Sequence, residues 1–395
     1  MPWHRCLWRK TRKPSKEFVV HASGNVTFAV VGFGYWGPHL VRNILLCEGA
    51  GVAWISDQDD ARLQEAGRRF PGIRATPSLE EVLCDPGVDV VAIATPVHSH
   101  HALALKALRE GKHVFIEKPL TASRRQATEI LAVAAQFGRR VFVDHTFVFT
   151  PAVQKMRQLL LSHELGRPLY YDSVRINLGI FQHDVNVVWD LVTHDIAILD
   201  FLLQGTMPVT ASCTGTAHFG SQHADLAYLT LAYEDDFIAH INVNWLAPVK
   251  VRQVLLCGDR KMVVYDDNSA SEKIKVYDSG VNVRQREDIY EMLVQYRVGD
   301  MHAPRLETTE ALSNEITNVV EALRDGAVAV ADGEAGLRVV SILEAADASL
   351  RLGGISVPIV PLDLAALLDG KRTQLDGDGL RKTKPHDDLT PSLHR

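Results

Sequence analysis

Three side chains in this sequence have the types and spacing of proton-handling groups. Lys118 stands in Glu117-Lys118-Pro119, directly after the apolar run His113 to Ile116. An ammonium held there can steady the oxygen of a reacting hydroxyl as negative charge develops on it. Asp190 and His194 occur in WDLVTHD, where i,i+4 spacing sets both on one face of a helix. His194 suits acid/base work because imidazole exchanges its proton near neutral pH. Asp190 can orient that imidazole or bind a second substrate hydroxyl. Asp195 points about 100° around the helix from His194 and is the weaker member of the set. Upstream, Arg175, Asn177, His183, Asp184 and Asn186 form a polar run broken by Gly179 and Phe181. Arg175 is the candidate for an anionic group, since its planar fork makes paired hydrogen bonds to carboxylate or phosphate. Asn177, Asp184 and Asn186 are candidates for sugar hydroxyls, and His145 for either a pocket-facing position or a hinge.

Groups of this kind need a rigid frame, and the stretch from Phe28 to Asp57 supplies its first part. It reads as an apolar strand, the turn GFGYWG (Gly32, Phe33, Gly34, Tyr35, Trp36, Gly37), a helix, and a second strand ending at Asp57. Gly32, Gly34 and Gly37 fit the G-x-G-x-x-G pattern of a dinucleotide site: a tight turn, close approach to a pyrophosphate, and close packing of helix on strand. Pro38 suits the first helical turn, which leaves its N–H groups without intrahelical partners. Asp57 is placed to accept the ribose hydroxyls of NAD and to repel the extra phosphate of NADP. Ser78 and Glu81 have the spacing of a reciprocal capping box. The run Val88 to Ala94 reads as a strand buried on both faces, and Thr95 and Pro96 end it where an open parallel sheet places its ligand. His98, His100 and His101 follow. Without an acidic fourth ligand their spacing points to cofactor-side contacts or capping rather than to a metal, and no metal is expected. Glu117 and Lys118 reach the same crevice.

The alternation of helices with apolar strands up to Val143 gives a Rossmann-type, doubly wound parallel sheet. Beyond residue 145 the strands lengthen and their connections shorten, which gives a predominantly antiparallel second domain. The expected division is a basic leader (1–24), an NAD-binding domain (25–145), an α+β domain for substrate binding and oligomerisation (146–360), and a polar tail (361–395). One strand, Phe237 to Leu246, alternates an apolar face with one carrying His240, Asn242 and Asn244. A chain of 395 residues exceeds one ordinary core. With 42 basic and 48 acidic residues, nothing in the charge balance calls for nucleic acid or an anionic membrane. No run approaches the roughly 20 apolar residues of a membrane span. The five cysteines include no C-x-x-C pair, which fits a reducing, cytoplasmic setting.

The assembled pattern resembles the Gfo/Idh/MocA oxidoreductases, the glucose-fructose oxidoreductase and inositol dehydrogenase family. GFGYWG, the acidic end of the second strand at Asp57, ATPVHSH, EKP and the Asp190/His194 helix carry the likeness. The resemblance implies NAD as cofactor and ring-hydroxyl dehydrogenation served by Lys118, Asp190 and His194. GYWGPHLVRN, HTFVFTPAV, RINLG, DVNVVWDLVTHD and NVNWLAPVKVR look most like nucleotide-sugar 3-dehydrogenases of the UDP-N-acetylglucosaminuronate type. His39 and Thr193 depart from that pattern, so the substrate class spans sugars, nucleotide sugars, amino sugars and inositols. The alternatives are a ketosugar reductase, an inositol dehydrogenase, NAD-dependent glycoside cleavage and a nonenzymatic NAD-responsive binding protein. A homodimer or homotetramer is expected through the second sheet.

Overall fold

The computed structural model describes residues 25–179, 185–219, 222–284 and 293–361. The expected leader, the tail beyond Pro361, His183 and the candidate Asp184 lie outside the described residues. The first layer is a six-stranded parallel sheet in the order β3-β2-β1-β4-β5-β6. Its strands are β1 (Val26–Val31), β2 (Ala50–Ser56), β3 (Arg74–Thr76), β4 (Val90–Ile93), β5 (His113–Glu117) and β6 (Val141–Asp144). Helices α1 (Gly37–Leu46), α2 (Asp60–Arg69), α3 (Leu79–Cys84), α4 (Val97–Arg109) and α5 (Arg124–Phe137) connect them. β4 is buried at all four positions, as a strand covered on both faces must be. The strand β3 pairs only at the sheet edge and has no apolar run to announce it. The capping box is half formed: Ser78 accepts from the Glu81 amide, but the Glu81 carboxylate takes the Thr76 hydroxyl at 2.7 Å.

After β6 come a short 3-10 turn (Thr146–Phe149) and α6 (Pro151–Leu161). Next are the long strand β7 (Pro168–Leu178), a π-helical turn (Val188–Val192) and α7 (Thr193–Leu202). The strands β8 (Thr210–Thr216), β9 (Leu226–Ala232), β10 (Ile238–Asn244), β11 (Leu246–Gly258), β12 (Met262–Asp266) and β13 (Ile274–Tyr277) follow. A separate hairpin joins β14 (Gly280–Arg284) to β15 (Leu293–Arg297). The chain closes with β16 (Met301–His302), α8 (Ala311–Arg324), α9 (Gly333–Arg351) and β17 (Val357–Pro358). The second sheet has nine strands in the order β16-β13-β12-β11-β7-β10-β9-β8-β17. It is antiparallel except where β10 lies parallel to β7. Phe237, Ala239, Ile241, Val243 and Trp245 bury the inner face of β10 and its end, as their alternation requires. They pack with Val153 and Met156 of α6, Ile196 and Leu199 of α7, and Ile342 and Leu343 of α9.

Two helices from beyond residue 145 return to the first sheet. Leu312, Ile316, Val319 and Leu323 of α8 lie one helical face apart and share a core with Phe28, Val30 and Phe115 of the first sheet. Leu337 and Val340 of α9 join the core on its other side. Residues 311–324, expected in the second domain, thus also pack on the first sheet. This return locks the two sheets together, since burial of four such side chains contributes about 1.5–3 kcal/mol each.

Candidate functional site

A cavity of about 790 Å³ opens at the carboxyl ends of β1, β2 and β4. β1 and β4 are sheet neighbours although distant in sequence, the reversal of strand order at which open α/β sheets hold ligands. Gly32 has φ of +96°, and a Cβ there would lie 2.6 Å from the Ala94 carbonyl oxygen. At Gly37 a Cβ would lie 2.3 Å from the Gly32 carbonyl, so helix α1 can seat on the turn only without a side chain. Gly34 meets nothing nearer than Arg62 Nη1 at 3.7 Å, which leaves its backbone open to the cavity. Trp36, the N-cap of α1, offers no side-chain acceptor; its carbonyl takes the His39 amide at 2.9 Å and the Leu40 amide at 3.2 Å, and Pro38 has none to give. Gly32, Gly34, Tyr35, Trp36, Asp57, Thr95, Pro96 and His98 all line this cavity, together with Gln58 and Arg62. Asp57 closes the turn: Oδ2 accepts from the Phe33 amide at 2.6 Å and Oδ1 from the Asp59 amide at 2.9 Å. Arg62 Nη1 stands 3.4 Å from the same carboxylate. An open glycine backbone and a carboxylate at the end of the neighbouring strand fit the pyrophosphate and ribose of a dinucleotide.

Several residues expected at the cofactor are placed elsewhere. The Phe33 side chain is buried against Phe70, and Gly37 packs on the turn itself. His100 is buried, with its ring nitrogens 2.7 Å from the Thr95 carbonyl and 3.0 Å from the Pro119 carbonyl, so it braces two crevice loops together. Burial holds its pKa below the usual histidine value. His101 pairs with Glu129 at 3.0 Å, away from both neighbours. His98 lines the cavity and a second one of about 630 Å³ that also touches Asn186 and Trp189. Glu117 turns toward Asp144. Burial first, then the Asp144 charge, raises its carboxyl well above the ordinary range. Glu315 of α8 joins this group for the same two reasons. Asp144 ties it to the glycine turn by accepting from Trp36 Nε1 at 2.5 Å.

The proton-handling set does come together. Lys118 Nζ donates to the Asp190 carbonyl at 3.0 Å and to Asp190 Oδ1 at 3.3 Å. The Lys118-Pro119 peptide is cis. Asp190 Oδ2 accepts from Trp245 Nε1 at 3.1 Å. The aspartate is therefore held between lysine and indole and makes no hydrogen bond to His194, contrary to the orienting role read from the i,i+4 spacing. The helix is also not uniform: Asp190 lies in the π turn and His194 in α7. The His194 ring packs on Phe147 with centroids 4.8 Å apart, and its Nδ1 is buried without a partner. Burial, and then the charges of Lys118, Arg175 and Arg252, push its pKa well below the usual value. His145 is buried with both ring nitrogens unpaired, and burial with the Lys118 charge pushes it down to about 3.

Arg175 is not free to take an anion with its whole fork. Its Nε lies 2.7 Å and its Nη2 3.3 Å from the carboxylate of Asp195, which also accepts from Ser173 Oγ at 2.7 Å. Asn186 is occupied too: its amide oxygen caps Val188 and Trp189, and its nitrogen reaches Asp347 at 2.9 Å. Asn177 lies two positions beyond Arg175 on the same face of β7, at partial exposure. Sequence reasoning missed Trp245, Phe147 and Arg252 as members of the site. The signal for Arg252 was present, because it is in phase with the buried Val254 and Leu256 on β11. Among the described residues no group of three or more His, Cys, Asp or Glu is arranged to hold a metal, and no helix is long and apolar enough to cross a membrane.

Two family models match the chain: the NAD-binding Rossmann fold of the Gfo/Idh/MocA oxidoreductases over residues 26–145, and the C-terminal alpha/beta domain of the same family over 157–359. The scyllo-inositol 2-dehydrogenase (NAD(+)) of Bacillus subtilis is 29% identical over 184 residues, 45% of this chain and 54% of that protein. The UDP-N-acetylglucosamine 3-dehydrogenase of Acidithiobacillus ferrooxidans is 30% identical over 216 residues, 54% of this chain and 64% of that protein. The chain thus spans between half and two thirds of the length of these curated relatives. The structure of GenD2 from gentamicin A biosynthesis, in complex with NAD, shares the fold with a TM-score of 0.72 at 21% identity, covering 89% of this chain and all of that one. With both halves matched and the glycine turn, crevice and paired sheets in place, the chain belongs to the Gfo/Idh/MocA oxidoreductase family and carries its NAD-binding Rossmann domain.

Proposed function

We propose that the protein is an NAD-dependent dehydrogenase that oxidises a ring hydroxyl, at C3, of a sugar, nucleotide sugar or amino sugar. The observation that carries this reading is Lys118, one residue past the end of β5 and clasped by Asp190, four residues before the buried His194. NAD, when bound, supplies the acceptor for the hydride that leaves the ring carbon. Gly34, Asp57 and Arg62 would hold it along the 790 Å³ cavity. The neutral imidazole of His194 accepts the hydroxyl proton as the C–O bond becomes a carbonyl. The Lys118 ammonium donates to the same oxygen, and Asp190 and Trp245 fix where that ammonium stands. Asn177 and His98 are the remaining side chains offered to the substrate. The C3 position is carried over from the relative named as a 3-dehydrogenase. The outer sheet face, with Tyr170, Tyr228 and Ile238 exposed, supports a homodimer or homotetramer, which light scattering checks.

Steady-state NADH formation with nucleotide sugars, amino sugars and inositols tests the reading. Turnover of one class is expected, with Lys118→Met and His194→Ala losing at least about 100-fold in kcat while retaining NAD affinity. Equal loss of NAD affinity in both variants would make them scaffold residues and refute the assignment.

A further inference from the structure

Three acidic side chains meet in the interior behind the Lys118 loop, and the proton-handling set uses none of them. Glu117 and Asp144 are register partners on the parallel strands β5 and β6, so their side chains leave the sheet on one face. Glu315 reaches Asp144 from α8. Asp144 and Glu315 are each 1% exposed. The donors are unevenly shared. Asp144 Oδ2 accepts from Trp36 Nε1 and Oδ1 from Thr146 Oγ1, both at 2.5 Å. Both oxygens of Glu315 are buried with no hydrogen-bond partner. The nearby cations are committed elsewhere: Lys118 donates to Asp190 and Arg338 to Asp200. His145, with both ring nitrogens unpaired, is pushed down to about 3 by burial and then by the Lys118 charge, so it is neutral. Three ionised carboxyls in this setting would cost far more than two donors return. Burial and the Asp144 charge accordingly raise the carboxyls of Glu117 and Glu315.

We propose that this trio carries one negative charge, that Trp36 and Thr146 fix it on Asp144, and that Glu117 is thereby kept neutral behind Lys118. Asp144, Trp36 and Thr146 are then positioning residues for the Lys118 ammonium. An ionised carboxylate has about four acceptor sites. The Trp36 N–H and the Thr146 O–H take two of them, and the acid hydrogens of Glu117 and Glu315 have the others to donate to. With the charge on Glu117 instead, a carboxylate one residue from Lys118 would compete with Asp190 for the ammonium, in an interior where such attraction is strong. Trp36 belongs to the glycine turn and lines the cofactor cavity, so the same contact ties that turn to the Lys118 loop. That the ammonium serves a reacting hydroxyl rests on the dehydrogenase reading, whereas the place of the charge rests on the hydrogen bonds alone.

Infrared spectra of the full chain at pH 7 count the protons. Glu315→Gln and Glu117→Gln are each expected to remove a protonated-carboxyl band, and Asp144→Asn a carboxylate band. A wild-type spectrum without a protonated-carboxyl band overturns the proposal with no variant having to fold, as does loss of a carboxylate band in Glu117→Gln. Positioning is read from Lys118 itself, by labelling with an amine-directed acylating reagent and quantifying its peptide by mass spectrometry. Trp36→Phe and Thr146→Val each take one donor from Asp144. Labelling of Lys118 at fixed pH should slow at least about threefold in both, because a charge moved to Glu117 holds the ammonium protonated. Adding Glu117→Gln to either variant should restore it. At saturating NAD and sugar, kcat should fall at least about tenfold in the same two variants and recover with the same addition. Labelling that does not slow, or that Glu117→Gln fails to restore, overturns the positioning role. The expected bands and labelling with no NAD reduction by any sugar would sink the dehydrogenase reading and keep the charge on Asp144.

Discussion

Replacing Asp195 by Asn should destabilise the second sheet by about 3–5 kcal/mol, because it removes one partner of a buried ion pair and keeps the other. Asp195 is fully buried, and its oxygens accept two bonds from Arg175, one from Ser173 and a long one from Tyr171 at 3.5 Å. An amide at this position neutralises the acceptor and points N–H donors at a guanidinium that is itself all donors. Arg175→Met alone leaves a buried carboxylate uncompensated and should cost a similar amount. The double variant Arg175→Met/Asp195→Leu removes both charges together and leaves two hydroxyls, on Ser173 and Tyr171, without that acceptor. Their loss costs about 1–3 kcal/mol. The single effects would sum to about 6–10 kcal/mol, so the cycle should show a coupling of at least about 3 kcal/mol. Urea unfolding followed by circular dichroism measures all four proteins. A loss below about 1 kcal/mol in Asp195→Asn would refute the reasoning, as it would mean that Arg175 is not committed to the core and its fork is open to substrate after all.

Two further outcomes follow from the cofactor side. Asp57→Ala removes the acceptor for the Phe33 and Asp59 amides and releases Arg62 toward the cavity. The ratio of kcat/KM for NAD over NADP should fall at least about tenfold, and an unchanged ratio would end the ribose role of Asp57. Glu117 and Glu315 both have raised pKa values in the folded protein, from burial and then from Asp144. The folded state therefore keeps protons that the unfolded chain releases above its ordinary carboxyl range, near pH 4.3. That contribution is complete at acid pH and is lost as pH rises through the folded pKa values, with a slope of at most about 1.4 kcal/mol per pH unit for each proton. Glu315→Gln should flatten this decline and gain on wild type at the alkaline end. Parallel stability curves for the two proteins would show that Glu315 holds no such proton.

What could be read from the sequence was what one short segment decides by itself. The GFGYWG turn demands glycine at Gly32 and Gly37 because the backbone folds onto its own carbonyls. Lys118 follows a run whose apolarity already made it a buried strand. What escaped was which polar side chain is already occupied, and the decisive occupant is mostly far away in sequence. Arg175 is engaged by Asp195, Asn186 by Asp347, and Asp190 by Trp245. His100 bridges Thr95 and Pro119, and Glu117 joins Asp144 and Glu315. The two arginines, Arg175 and Arg252, show why pattern alone falls short. Arg175 lay in the polar run and attracted the anion-binding role, while Arg252 sat in a strand otherwise read for its apolar phase. Only the antiparallel register of β7 and β11 sets them opposite one another. Only the packing of α7 then gives one of them a carboxylate at 2.7 Å and leaves the other at 3.6 Å from a shared one. Which arginine is engaged is accordingly a property of strand register: a shift of two residues would keep both side chains on the inner face and still separate the pair.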